Sequence, residues 1–213
     1  MAVVLASPSP LVTNRKARMP EEERRTHLIE AAERVFLEKG YHAATMADIA
    51  RQAGMSKKTL YQLFNAKSAL FDALLTDRFS VFGVTIEDES HPPRTVLTDV
   101  LRRSVAHALT ERQVAIVRLM VAESPRSPEI AAALERLRSS GGKGALAHWL
   151  AAKTAEGSLK VVDPEETATL LFWTAAGDFL MQALLHNTHG PTIDAINARV
   201  DRVVASFFRD MKG

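Results

Sequence analysis

Apolar residues recur three and four positions apart through almost the whole of this chain, and nowhere do they alternate as in a half-buried strand. Leu28, Ala31, Ala32, Val35 and Phe36 make one stripe, with Arg24, Arg25, Glu33 and Arg34 around the rest of the turn. That spacing predicts a first amphipathic helix running from about Pro20 to a Gly40 cap, with Glu21, Glu22 and Glu23 at the positive end of its dipole. Met46, Ile49, Ala50 and Ala53 predict a second helix, opened by Thr45 as N-cap and closed by Gly54. Ser56 can cap a third, whose inward positions are Leu60 and Phe64. Leu70, Phe71, Leu74 and Leu75 predict a fourth from about Ala66, with Asn65 as its cap, and these four helices are expected to close a small core.

Residues 83–94 interrupt the periodicity with acidic residues and two prolines, which predicts a linker or bend. Beyond it helices are expected at about 94–109, at 111–123, and from the Ser124–Pro128 break to near Arg138. The 111–123 helix is too apolar all round for a surface helix. After the loop SSGGKG (139–144) come a helix at Ala145–Glu156 with a Gly157 cap, and a long apolar one started by Asp163 as N-cap and Pro164. The last, about 192–210, carries Ile193, Ile196, Val200, Val203, Val204, Phe207 and Phe208. Two consecutive helices this apolar ask for more cover than one face of a small domain supplies. A homodimer interface through about 164–210 is the expected cover, with burial inside one chain as the other reading. The predicted fold class is all-α, divided into a disordered basic arm (1–18), a helix-turn-helix module (19–82, motif 45–64) and a larger helical body (83–213).

The motif TMADIARQAGMSKKTLYQLF brings in chemistry, because a helix, a short turn containing Gly and a second helix can set that second helix in the DNA major groove. Lys57 and Lys58 open it, where cations oppose the helix dipole and can meet guanine O6/N7 or a phosphate. Thr59 and Tyr61 carry hydroxyls suited to phosphate oxygens, and Gln62 is a candidate adenine reader. Residues 15–67 hold eleven Lys and Arg against seven Asp and Glu, a net +4, while the remainder is −2 within a total of +2. A basic end on a near-neutral body suits contact with a polyanion.

The 213 residues, 46% hydrophobic and 24% charged, fit an ordinary globular protein. There is no cysteine, which excludes disulfides, thiolate zinc sites and cysteine nucleophiles. No uninterrupted apolar run reaches the roughly 18 residues of a membrane span, and MAVVLASPSP lacks a basic region ahead of its apolar stretch, so the expected compartment is the cytoplasm. GGKG at 141–144 lacks phosphate-loop spacing, and neither GxSxG nor HExxH occurs, so no enzyme is expected. His148 and the His186/His189 pair have no acidic or thiolate company, and neither a metal nor a cofactor is predicted.

Residues 24–75, RRTHLIEAAERVFLEKGYHAATMADIARQAGMSKKTLYQLFNAKSALFDALL, resemble the DNA-binding domain of TetR/AcrR-type transcriptional regulators. The matching pieces are AAERVF, Lys39-Gly40-Tyr41, Thr45, IARQAG, Ser56, Thr59-Leu60-Tyr61, Phe64 and Lys67. VAESPRSPEIA (121–131), Gly157, Leu159 and Asp163-Pro164 resemble the ligand-binding part of the AefR-like branch. Leu63 stands where many members carry His, Ala66 replaces the usual cap before helix four, and Ser68 replaces the usual Glu after Lys67. The resemblance implies a dimeric regulator, most often a repressor, that binds double-stranded DNA at a palindromic operator and is released by a small-molecule effector. It adds Thr45, Ser56 and Lys67 to Lys57, Lys58, Thr59, Tyr61 and Gln62 as DNA contacts. It also implies an effector pocket, with His107, Met120, Trp149, Phe172, Trp173, Asp178 and Met181 as candidate lining and plain core packing as the competing role. An activator of the same fold, or a helical dimeric interaction protein without sequence-specific DNA binding, remain the alternatives.

Overall fold

A computed structural model of the chain describes residues 19–79, 86, 91–141, 144–185 and 190–210. Among these residues every regular element is a helix: α1 (Glu21–Lys39), α2 (Met46–Gln52), α3 (Lys57–Leu63), α4 (Lys67–Phe79) and α5 (Pro93–Ala108). The body continues with α6 (Glu111–Glu123), α7 (Pro128–Gly141), α8 (Ala145–Ala155), α9 (Pro164–Leu185) and α10 (Ile193–Asp210). The expected arm 1–18, the 82/83 boundary and the His186/His189 pair lie outside the described residues.

The boundaries follow local chemistry. Thr45 and Asp48 form a reciprocal capping box on α2, Ser56 accepts from the Thr59 amide on α3, and Asp163 accepts from the Glu166 amide at 2.9 Å on α9. Gly40 and Gly157 both take positive φ after a helix end, as expected of terminating glycines. α7 runs three residues past Arg138, into the stretch expected to be loop.

Two apolar clusters hold the molecule. In the first, Phe36, Tyr41 and Phe71 meet with ring centroids 5.0–5.5 Å apart, beside Leu28, Ile49, Leu60, Leu70 and Leu74. The first four helices do not close this core alone, because Ile116 and Met120 of α6 and Ile130 and Ala133 of α7 complete it. The second cluster joins α5, α8, α9 and α10 through Val96, Leu97, Leu101, Trp149, Phe172 and Val200. α10 buries Ile196, Val200, Val203 and Val204 within the chain. α9, by contrast, leaves Leu170 58%, Trp173 51%, Met181 55% and Leu185 71% exposed. An 18-residue window of α9 reaches mean hydropathy 1.3, enough by length and composition to cross a membrane despite the absence of an unbroken apolar run. Here α9 instead packs on α5, α6, α8 and α10.

α6 joins the two clusters. At its start Arg112 and, from α4, Arg78 both donate to the buried carboxylate of Glu33 on α1, with Arg112 Nη2 at 2.6 Å and Arg78 Nε at 2.9 Å. Gln113 donates to the Arg78 carbonyl at 3.1 Å. In its middle Arg118 donates to the Ala183 carbonyl of α9. At its end Glu123 crowds the α1–α2 turn, where a Cβ on Gly40 would lie 2.6 Å from Glu123 Oε1.

Candidate nucleic-acid interface

The α2–α3 turn is fixed by backbone hydrogen bonds before any side chain acts. The Gly54 amide donates to Arg51 O at 3.1 Å and the Met55 amide to Ala50 O at 2.9 Å, the two bonds of a Schellman turn, with Gly54 at φ +63°. α3 is too short to be stable by itself, so its position depends on Leu60 and Phe64, both buried in the first cluster. Burying a side chain of that size stabilises by about 2 kcal/mol. Arg25 lies over the Phe64 ring, 4.5 Å from its centroid, and packs the anchor from α1.

With that side inward, Lys57, Lys58, Tyr61 and Gln62 stand exposed on the other, and Ser56 and Thr59 lie at the start of the helix with their hydroxyl oxygens 2.9 Å apart. These six of the eight predicted contacts are therefore brought together on α3 and its cap. No acid lies in the first turn of α3. The nearby Asp48 carboxylate is engaged by Arg51 and, at 3.0 Å, by Lys39. Its pKa is held well below the carboxylate range, first by the Thr45 hydroxyl and then by Lys39. Leu63 is half-buried against the first cluster, which accounts for an apolar residue at that position.

Thr45 and Lys67 are placed differently. The Thr45 hydroxyl donates to Asp48 Oδ2 at 2.8 Å and accepts from the Asp48 amide at 3.1 Å, so it is engaged in the capping box. Lys67 turns inward: its Nζ donates to the carbonyls of Tyr41, Ala44 and His42 at 2.7, 3.0 and 3.3 Å, and lies 4.4 Å from the Tyr41 ring centroid. Burial lowers the Lys67 pKa, an effect opposed by Glu129 and Glu123. An ammonium has three donors, and all three are used here, so Lys67 pins the α1–α2 turn rather than offering a free cation to DNA. Sequence reasoning left Arg24 among the polar positions of α1 and passed over His27, whereas both border the α2–α3 turn. Their i, i+3 spacing on the first turns of α1 was the available signal.

The seven candidate effector-lining residues do not converge. Met120 is buried in the first cluster, and His107 lies at the end of α5 with its Nε2 2.9 Å from Gln113 Nε2. Trp173 and Met181 face outward, as does Asp178, which accepts from Gln182 at 3.2 Å and Arg199 at 3.3 Å. Trp149 and Phe172 share the second cluster, and Trp149 Nε1 is buried with no hydrogen-bond partner. Phe172 borders a cavity of about 30 Å³ between α5, α8 and α9, together with Val100, Leu101, Ser104, Leu146 and Thr169. Helical spacing identified which of these residues were large and apolar, but not which neighbour each would meet. Among the described residues no three His, Asp or Glu converge.

Comparison with known proteins agrees with this architecture. Residues 28–74 match the sequence profile of bacterial regulatory proteins of the tetR family, and residues 95–210 match that of the AefR-like transcriptional repressor C-terminal domain. FasR of Mycolicibacterium smegmatis, an HTH-type transcriptional activator, is 52% identical over 58 residues, 27% of this chain and 26% of FasR. TtgR of Pseudomonas putida, an HTH-type transcriptional regulator, is 36% identical over 106 residues, 46% of this chain and 50% of TtgR. The chain thus spans between about a quarter and a half of the length of these curated relatives. The solved structure of the flavonoid-responsive regulator FrrA superposes with TM-score 0.72 and 27% identity, over 89% of this chain and 97% of FrrA. These relatives are regulators of transcription and not enzymes, and the chain belongs to the TetR family of helix-turn-helix transcriptional regulators, with an AefR-like C-terminal domain.

Proposed function

We propose that this chain is a DNA-binding repressor that grips a palindromic operator as a homodimer and releases it when a small molecule occupies its C-terminal body. In this reading residues 19–82 bind DNA, residues 83–213 bind effector and pair, and the protein works in the cytoplasm. The observation that carries it is the outward row Lys57, Lys58, Tyr61 and Gln62 on a helix anchored from behind by Leu60 and Phe64. Cations and hydroxyls there meet phosphates, and Lys and Gln have the donors that guanine and adenine edges accept. Two such helices about 34–36 Å apart read successive major grooves on one side of a duplex.

Release needs an effector that binds one conformation better than the other. A cavity of about 30 Å³ holds little more than a water, so a larger guest must widen the space between α5, α8 and α9. α6 would carry that displacement, since it is bonded to α9 at Ala183 and to α1 at Glu33. Its motion would tilt the recognition helices away from their groove spacing.

The repressor sense is supported by the AefR-like repressor match over 95–210. Activation is the second reading, favoured by the name of FasR, whose 58 matched residues are too few to include the regulatory body. A gel-shift series on the DNA upstream of the chain's own gene, backed by random-site selection, tests operator binding. A Lys57→Ala/Tyr61→Phe double variant should bind the selected site at least about tenfold more weakly with an unchanged melting curve. Normal binding by that variant would remove α3 from the interface. In-vitro transcription from the selected promoter separates the two senses: transcript should fall as protein is added, and a rise would make the chain an activator.

A further inference from the structure

A concavity of about 410 Å³ opens where the first turns of α1 pass the α2–α3 turn. Met19, Arg24 and His27 line one side, and Ala53, Gly54, Met55, Ser56 and Thr59 the other. Arg24 Nε is shielded from solvent and has no acceptor among the described residues. A cationic side chain whose buried Nε lacks an acceptor is poorly satisfied, and by turning into the notch that it lines it would gain an anion as partner. The turn itself is open on this side, because a Cβ on Gly54 would meet no atom within 4 Å. The acids nearest in sequence, Glu21, Glu22 and Glu23, do not line the concavity.

We propose that this notch clamps one phosphate of the DNA backbone between the Arg24 guanidinium and the His27 imidazole. The inference rests on the reading above that α3 meets DNA. Ser56 and Thr59 belong both to the recognition helix and to the notch wall, so a strand that passes those hydroxyls also passes Arg24 and His27. A guanidinium fits a phosphate through two parallel N–H donors, and the imidazole three residues along the same wall adds a third. Such a contact fixes the register and tilt of α3 in the groove and carries no base information. It therefore strengthens operator and non-operator DNA alike.

Fluorescence-anisotropy titrations of the full chain against operator and scrambled duplexes, across a salt series, test the clamp. Arg24→Gln should weaken both duplexes by roughly eightfold at about 0.1 M salt, and reduce the slope of log K against log salt by about 1 per bound protomer. His27→Gln should give a smaller loss, equal on the two duplexes. Arg34→Gln removes the same charge from an exposed position on α1 outside the notch and should leave the slope unchanged. Arg24→Lys keeps the charge and should recover the slope; its recovery also shows that a loss in Arg24→Gln is not a folding defect. If Arg24→Gln behaves like Arg34→Gln, or if its loss is confined to the operator, the clamp is overturned. The functional reading fails separately: wild-type protein would then show no operator preference, while the effect of Arg24 on scrambled DNA would still decide the notch.

Discussion

Glu33 is a carboxylate on the inner side of α1, only 3% exposed, held by Arg78 from α4 and Arg112 from α6. Burial alone would raise its pKa, but the hydrogen bonds from Arg112 and then Arg78 outweigh burial and leave it below the ordinary carboxylate value. A depressed folded pKa means that the unfolded chain takes up its proton first as pH falls. The stabilisation is therefore complete above the ordinary value of 4.5, and is lost as pH drops through the depressed one. Glu33→Gln should cost about 3 kcal/mol at pH 7, since it leaves two guanidinium groups facing a neutral amide. The gap between variant and wild type should narrow below about pH 4.5. Urea melts at a series of pH values check both, and a gap independent of pH would mean that shape rather than charge sets the loss.

α6 is the element that ties the recognition module to the body, and its far end meets α1 at Gly40. There φ is +78° with ψ 159°, a region almost reserved for glycine, and the space for a Cβ is occupied by Glu123 Oε1. The carboxylate ends a flexible side chain and can swing away, so backbone strain should dominate. Gly40→Ala should lose about 2 kcal/mol, and adding Glu123→Ala should return little of it. Denaturant titrations of the single and double variants decide the point; recovery in the double variant would make the collision the cause. Helix ends such as this were readable from sequence, because caps are local: Thr45, Ser56, Gly54 and Asp163 each act within a turn of their own position. The row on α3 was readable for the same reason, once the inward side was set by Leu60 and Phe64. Long-range partnerships were not. Lys67 reaches carbonyls more than twenty residues away, and Met120 fills a core begun by α1 to α4. Periodicity reports which side of a helix is apolar and is silent on what covers it. α10 carries a single apolar stripe and is covered by α5, whereas α9 is apolar on most sides and keeps one of them exposed.

The uncovered side of α9 bears on how the whole molecule works. Leu170, Trp173, Met181 and Leu185 fall at helical spacing on one side, with Gly177 between them where a side chain would otherwise project. Asp178 and Arg199, paired at 3.3 Å, stand beside this strip and suit the polar rim of an interface. Large apolar side chains left half or more exposed in a row are rare on a lone subunit, and a second copy of α9 would remove them from water. In the proposed homodimer a self-complementary strip of this kind would produce a closed two-fold pair, as two opposed recognition helices require. Trp173→Glu with Met181→Glu sets four carboxylates across the pair, and desolvating them opposes association more strongly than the lost apolar contact alone. Both positions are exposed in the single chain, so the fold of each subunit should survive. Sedimentation velocity should show wild-type dimers and variant monomers with unchanged helical circular dichroism. Operator affinity should fall at least about a hundredfold, because two recognition helices no longer share one effective concentration, while the weak affinity of a single helix for a half-site remains. A variant that still sediments as a dimer would remove α9 from the interface and leave its exposed strip without that role.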